Sequence, residues 1–281
     1  MNAAALGALA MLGSAVLHAG MGLLTKQSQD RLVFRALMMM AGALLYSPVL
    51  ILFPPPPWEA WRFLLIGAGL HFAFQMAMIS AFERGNMNLV YPVMRGGAPA
   101  LAGIAAFVFL GETLSPIQIA GLSLATAMII GFAWPEKGQA PKAAAIAFAL
   151  CAASMTALYS VNDASGVRAA HSPLVYVAWF FVVSSVPVTV VSLVRRGRRW
   201  AGLAKGELRM AGVAALFGAA SYGLALYAFS LADVAPMAAM RETSVVFGAI
   251  LAALVLKEPF GLKRTVLAIL LAAGLVLLQI G

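Results

Sequence analysis

Apolar residues run along this chain in ten stretches separated by short polar breaks: 3–24, 32–53, 60–82, 89–110, 117–134, 143–162, 173–194, 209–231, 235–256 and 262–280. Stretches of about twenty residues are long enough to cross a hydrocarbon core of about 30 Å as helices. Their apolar runs are continuous rather than alternating, which excludes a transmembrane β-barrel. Pro54-Pro55-Pro56-Pro57 ends the second stretch, because proline neither donates to a helix nor continues one. The one linker-like piece, 135–141, falls almost at the midpoint. The pattern predicts an all-α membrane protein of ten transmembrane helices in two five-helix units, 1–134 and 142–281.

The two units repeat each other. Met94-Arg95 in the fourth span is followed by Gly111-Glu112, and Met240-Arg241 in the ninth by Lys257-Glu258; both Arg and Glu are displaced by 146 positions. Arg62 and Phe82 flank the third span as Arg209 and Phe229 flank the eighth, displaced by 147. An odd number of crossings per unit forces the units into opposite orientations. Such inverted repeats are typical of secondary transporters, whose substrate site lies near the midplane between the halves.

Composition narrows the class further. The chain is 63% hydrophobic and 10% charged, with a mean hydropathy of +0.94, whereas soluble domains carry about 25% charged residues. The single cysteine, Cys151, excludes an intrachain disulfide framework. The first stretch lacks a positive leading region and is expected to be a retained helix, not a cleaved signal. The net charge of +9 does not point to nucleic acid, because the basic residues sit in short loops between spans. Fifteen of the 19 Lys and Arg fall on the side of the first, third, fifth, seventh and ninth connections. Arg62 and Arg168 fall on the side of the termini, and Arg95 and Arg241 inside spans. The positive-inside rule then places both termini outside the cytoplasm, in a cell (inner or plasma) membrane.

An arginine inside a span costs about 2.5–3.5 kcal/mol on insertion scales, so Arg95 and Arg241 need a reason. Arg95 stands about 9 Å into its helix at 1.5 Å per residue. Two readings stay open. One is a structural ion pair, Arg241 with Glu242 or either arginine with a tyrosine or carbonyl. The other is a pair of cationic posts for a carboxylate, phosphate or phosphonate. His71 and Gln75 share a face of the third span, with Tyr222 opposite Gln75 in the repeat. His18, Tyr91 and Tyr159 complete the expected polar lining. Asn162-Asp163 and His171 are expected in the loop after the sixth span. Glu112 and Glu258 end their helices, where a carboxylate opposes the helix dipole, so each is expected to pair with a neighbouring segment or to gate. The three histidines show no ligand spacing, so no metal site is expected, and no P-loop or cofactor signature is present.

The Pro-rich starts of the fourth and ninth spans, their closing Gly111-Glu112 and Lys257-Glu258, the glycine-rich fifth span and the ten-helix length resemble the EamA-type repeat of the drug/metabolite transporter superfamily. That resemblance implies the ten-helix fold and transport of a small molecule. A narrower likeness, to members with a His-Ala-Trp-Asn…Lys pattern, rests on His18-Ala19…Lys26, Tyr91-Pro-Val-Met-Arg95-Gly and Tyr159-Ser-Val-Asn-Asp163; here Gly20-Met21 replaces Trp-Asn. The superfamily's amino-acid exporters imply cytoplasmic termini, opposite to the charge count, which is followed here. The leading expectation is a secondary transporter or facilitator, as monomer or homodimer, for a small polar metabolite bearing an anionic group. A proton, carried by a histidine or Glu242, is the available coupling ion. The alternatives are an exporter of amino acids or amine-bearing drugs and, from another class, a membrane enzyme acting on lipid-linked phosphate.

Overall fold

The computed structural model describes residues 3–84, 87–132, 143–170, 172–248, 250 and 262–280. Every element among them is helical: α1 Ala3–Gln27, α2 Arg31–Leu45, α3 Ser47–Leu52, α4 Trp58–Arg84, α5 Met87–Leu110, α6 Pro116–Phe132, α7 Ala143–Ala169, α8 Pro173–Arg196, α9 Trp200–Leu231, α10 Val234–Arg241 and α11 Leu262–Ile280. The second expected span is thus two helices. Tyr46 leaves helical geometry just before Pro48, whose ring has no amide to give, and Phe53 is extended ahead of the proline run. Gly197, at φ 50, separates α8 and α9 through a short 3₁₀ turn, in backbone that favours glycine.

The packing pairs reflect the duplication. With α1 equivalent to α7, α4 to α9 and α5 to α10, the contact of α1 with α9 is matched by that of α4 with α7. The contact of α5 with α7 is matched by that of α10 with α1. Two helices pack against their own equivalents: α2 on α8, and α6 on α11. In the latter pair Gly121 and Gly274 face each other. A Cβ at Gly121 would stand 2.7 Å from the Gly274 carbonyl oxygen, so only glycine allows the two backbones this close.

Buried positions are dominated by alanine, such as Ala149, Ala152, Ala153, Ala214 and Ala225, and large apolar side chains such as Leu44, Ile51, Phe107, Phe109 and Val194 point outward. Between helices already surrounded by hydrocarbon there is little hydrophobic drive, so small residues that bring backbones close supply the contact energy. An outward apolar surface of this extent marks a face covered by something other than water, here acyl chains. Among the described residues, five helical stretches are long and apolar enough to cross a membrane, with shorter apolar ones at Pro116–Gly131 and Thr265–Leu278.

Three differences from the expected spans shape the site. Helix α7 runs on to Ala169, so Asn162 and Asp163 are buried within a helix rather than in a loop. The helix continues although the hydropathy has dropped, and Gly166 in this last part leaves room for Tyr176. Helix α9 starts at Trp200, earlier than expected, and carries Lys205 and Arg209 on its first turns. The ninth span breaks at Glu242–Thr243, where the Thr243 hydroxyl donates to the Met240 carbonyl (2.6 Å) and helix resumes at 244–248.

Candidate functional site

A cavity of ≈ 90 Å³ lies between helices of both repeats. Its polar lining is His18 from α1, Arg35 from α2, His71 and Gln75 from α4, Tyr159 from α7, Ser221 and Tyr222 from α9, and Arg241 from α10. Met21, Met38, Met39, Phe74, Phe180 and Phe181 supply the apolar walls. The break after Arg241 serves this arrangement. It ends α10 with a cation at the negative end of its dipole and puts Glu242 ahead of the next helical turn, where a carboxylate is favoured.

Arg95 stands behind His18. Its Nη1 donates to both oxygens of Glu242 at 3.3 Å, and its Nη2 donates to His18 Nε2 at 2.9 Å. A guanidinium has no acceptor, so His18 Nε2 must accept, which requires the neutral imidazole. Glu242 is therefore the counter-ion of Arg95, not of its neighbour Arg241. Arg241 instead lies over the Tyr222 ring, with Cζ 6.0 Å from the centroid, and forms no salt bridge with a carboxylate among the described residues.

Opposite, an aromatic cage surrounds His71. Tyr159 stacks on its ring at 4.0 Å, Phe180 meets it edge-on at 4.7 Å, and Phe180 stacks on Tyr222 at 4.2 Å. Behind the cage Asp163 Oδ2 receives the Tyr222 hydroxyl at 2.6 Å and contacts His71 Nε2 at 2.8 Å. Asn162 donates to the Phe63 carbonyl at 2.8 Å. Gly67 keeps this seam open, since a Cβ there would stand 2.9 Å from Asn162 Nδ2.

Two ionic clusters hold opposite ends of the bundle. Glu112 accepts Arg168 Nη1 at 3.1 Å and the Val234 amide at 2.8 Å, which sets the carboxylate against the positive end of α10. Arg168 also donates to the Phe229 and Ala232 carbonyls. At the other end Asp30 caps α2 through the Leu32 and Val33 amides and accepts Arg196 Nε at 2.6 Å, while Glu207 accepts the Gln29 and Asp30 amides. Partial burial raises the Asp30 pKa, but the Arg196 guanidinium and the two amides outweigh it and hold the carboxyl below its ordinary value.

Of the residues singled out from sequence, six line the cavity: His18, His71, Gln75, Tyr159, Tyr222 and Arg241. Arg95 and Glu242 form the ion pair beside it. The side chain of Tyr91 and all of His171, Lys257 and Glu258 lie outside the described residues. Sequence reading missed two groups. Arg35 was assigned to the surface charges because it lies one turn into α2, yet it lines the cavity. Asp163 was assigned to a loop; its spacing of four from Tyr159 was the signal that both share a helix face. No group of three His, Cys, Asp or Glu suited to a metal ion occurs among the described residues.

Apolar helices packed as two matched sets around a polar cavity define a multi-pass membrane protein of the duplicated type. A family model described as the EamA-like transporter family matches residues 5–134 and again 143–280. The chain belongs to the EamA-like transporter family, within the drug/metabolite transporter superfamily. A solved structure described as "Crystal structure of protein" superposes with a TM-score of 0.78 at 17% identity, covering 96% of this chain and 95% of that one, and so shares the fold. No curated protein matches the sequence.

Proposed function

We propose that the protein moves a small metabolite bearing an anionic group through the central cavity, with units 1–134 and 142–281 as the halves that part around it. One observation carries this reading: Arg35 and Arg241 both face a cavity whose described lining includes no carboxylate. The nearby carboxylates are engaged, Glu242 with Arg95 and Asp163 with His71 and Tyr222. A cationic amine would find no free negative partner there, which disfavours the amine exporter. The methionine and phenylalanine walls suit an apolar body attached to the anionic group.

The cavity volume is ≈ 90 Å³. Ligand pockets usually span about 300–1,000 Å³, so loading requires the halves to separate, as alternating access does. We infer from the loop charges that both termini lie outside the cytoplasm, in a cell membrane; a reporter active only in the cytoplasm, fused after Gly281, should be silent. The substrate class is tested by a thermal-shift comparison of purified protein with anionic, zwitterionic and cationic metabolites. Anions should stabilise the wild type, and Arg241→Gln should need about ten to a hundred times more ligand, the equivalent of one charge-assisted hydrogen bond. Stabilisation by cations alone would overturn the reading.

A further inference from the structure

We propose that Asp163 is a proton-binding site that loads together with the anion, with His71 and Tyr222 as its links to the cavity. The coupling rests on the anion reading above; the proton site itself does not. Asp163 is 1% exposed, and its two oxygens are treated differently. Oδ2 is occupied twice, by the Tyr222 hydroxyl and His71 Nε2. Oδ1 is buried and has no hydrogen-bond partner among the described residues. A buried acceptor left without a donor bears its full desolvation cost. A proton on Oδ1 removes the charge and leaves both contacts to Oδ2 in place, so this carboxyl can change protonation state without rebuilding its surroundings.

The groups around it tie that event to the cavity. His71 on α4 and Tyr222 on α9 both line the cavity and touch Asp163, so they form the route by which a proton from cavity water reaches it. Arg241 on α10 lies over the Tyr222 ring. On α7 itself, Tyr159 stacks on His71, and Arg168 is bound to Glu112 and two carbonyls. On α8, Tyr176 packs against Gly166. On α5, Arg95 is neutralised by Glu242. Arg35 on α2 and Arg241 both line the cavity without a carboxylate partner among the described residues, and Arg241 is the one that lies over Tyr222, the residue that donates to Asp163. An anion bound to Arg241 offsets its positive field at Asp163, so anion and proton binding reinforce each other, and by linkage each strengthens the other by the same factor.

Infrared difference spectroscopy of purified protein in lipid, titrated from pH 9 to pH 4, reads the site without any substrate. A protonated-carboxyl band should appear as pH falls, be absent in Asp163→Asn, and move to higher frequency in Tyr222→Phe, where the carboxyl loses a hydrogen-bond donor. A wild type with no such band, or a band that survives unchanged in both variants, overturns the proton site. Coupling is read with benzenesulfonate, whose charge is constant over this range. Its affinity should rise with falling pH by up to tenfold per unit in the wild type and stay flat in Asp163→Asn. Equal slopes in the two proteins overturn the coupling. Absence of sulfonate binding to both overturns the anion reading and the coupling with it, while the infrared band still decides the proton site.

Discussion

Arg95 and Arg241 occupy equivalent places in the two repeats and end in opposite situations. Helix α5 runs unbroken through Arg95 and Gly96, and Arg95 is held by Glu242 and His18. Helix α10 stops at Arg241, which faces the cavity over Tyr222. The position equivalent to Glu242 in the first repeat is Gly96, where a Cβ would collide with Ile130. One repeat therefore carries a carboxylate where the other is packed too tightly for any side chain. That carboxylate crosses over to neutralise the first repeat's arginine. Duplication copied the cation, and a single divergent position set the copies apart: Arg95 is paired across the halves, and Arg241 faces the cavity with no carboxylate partner among the described residues, as the proposed anion site requires.

The largest effect should come from cancelling the crossover. Glu242→Gln leaves Arg95 buried without its counter-ion, and breaking a buried pair this way costs about 3–5 kcal/mol. Folded yield and the detergent melting temperature should fall together, and Arg95→Gln in the same chain should restore most of the loss. A double variant as unstable as the single would break the pairing argument. Next, Arg241→Gln should leave the melting temperature nearly unchanged while anion affinity drops, at about 1.5–3 kcal/mol for a charge-assisted bond. A large stability loss there would make the two arginines alike after all. Gly96→Ala should cost about 1–3 kcal/mol through overpacking against Ile130, measured as a lower melting temperature with ligand affinity intact.

The smallest contrast sets both arginines against an ion pair at the end of the bundle. With its folded pKa depressed, Asp30 contributes stability that is present above its unfolded value of about 3.9 and lost as pH falls through the folded one. Arg196 is over a third exposed, so the contribution should stay under about 1 kcal/mol. Melting curves of wild type and Asp30→Asn, which keeps the cap but not the charge, should run parallel from pH 8 to 5. The wild type's advantage should shrink only below about pH 4.

The fold was legible because membrane solvation writes itself along the chain: a span must be apolar for its full length, and a duplicated helix keeps its offsets. The site was legible where a polar residue interrupts such a run, as at His18, His71, Gln75 and Arg241. It failed at the edges of runs. Arg35 and Asp163 stand where hydropathy is already falling, and a falling signal reads as loop although α7 continues to Ala169. Nor could offsets assign partners. Glu242 adjoins Arg241 in sequence, but one turn of geometry directs it to Arg95, 147 positions away. That pairing is a property of how the repeats cross, which no local pattern encodes.

The exchanged packing of α1 with α9 and α4 with α7 has a consequence for biosynthesis. The first repeat leaves the ribosome before the helices that cover it exist. About 200 residues separate the end of α1 from the end of α9, which at about 5–20 residues per second amounts to roughly 10–40 s of translation. Within that interval His71 waits in the bilayer until Asp163 and then Tyr222 are made, and Arg95 waits beyond it, until Glu242 follows α9. A nascent chain arrested near the linker should therefore be a substrate for membrane quality control, and synthesis past Glu242 is the event that releases it.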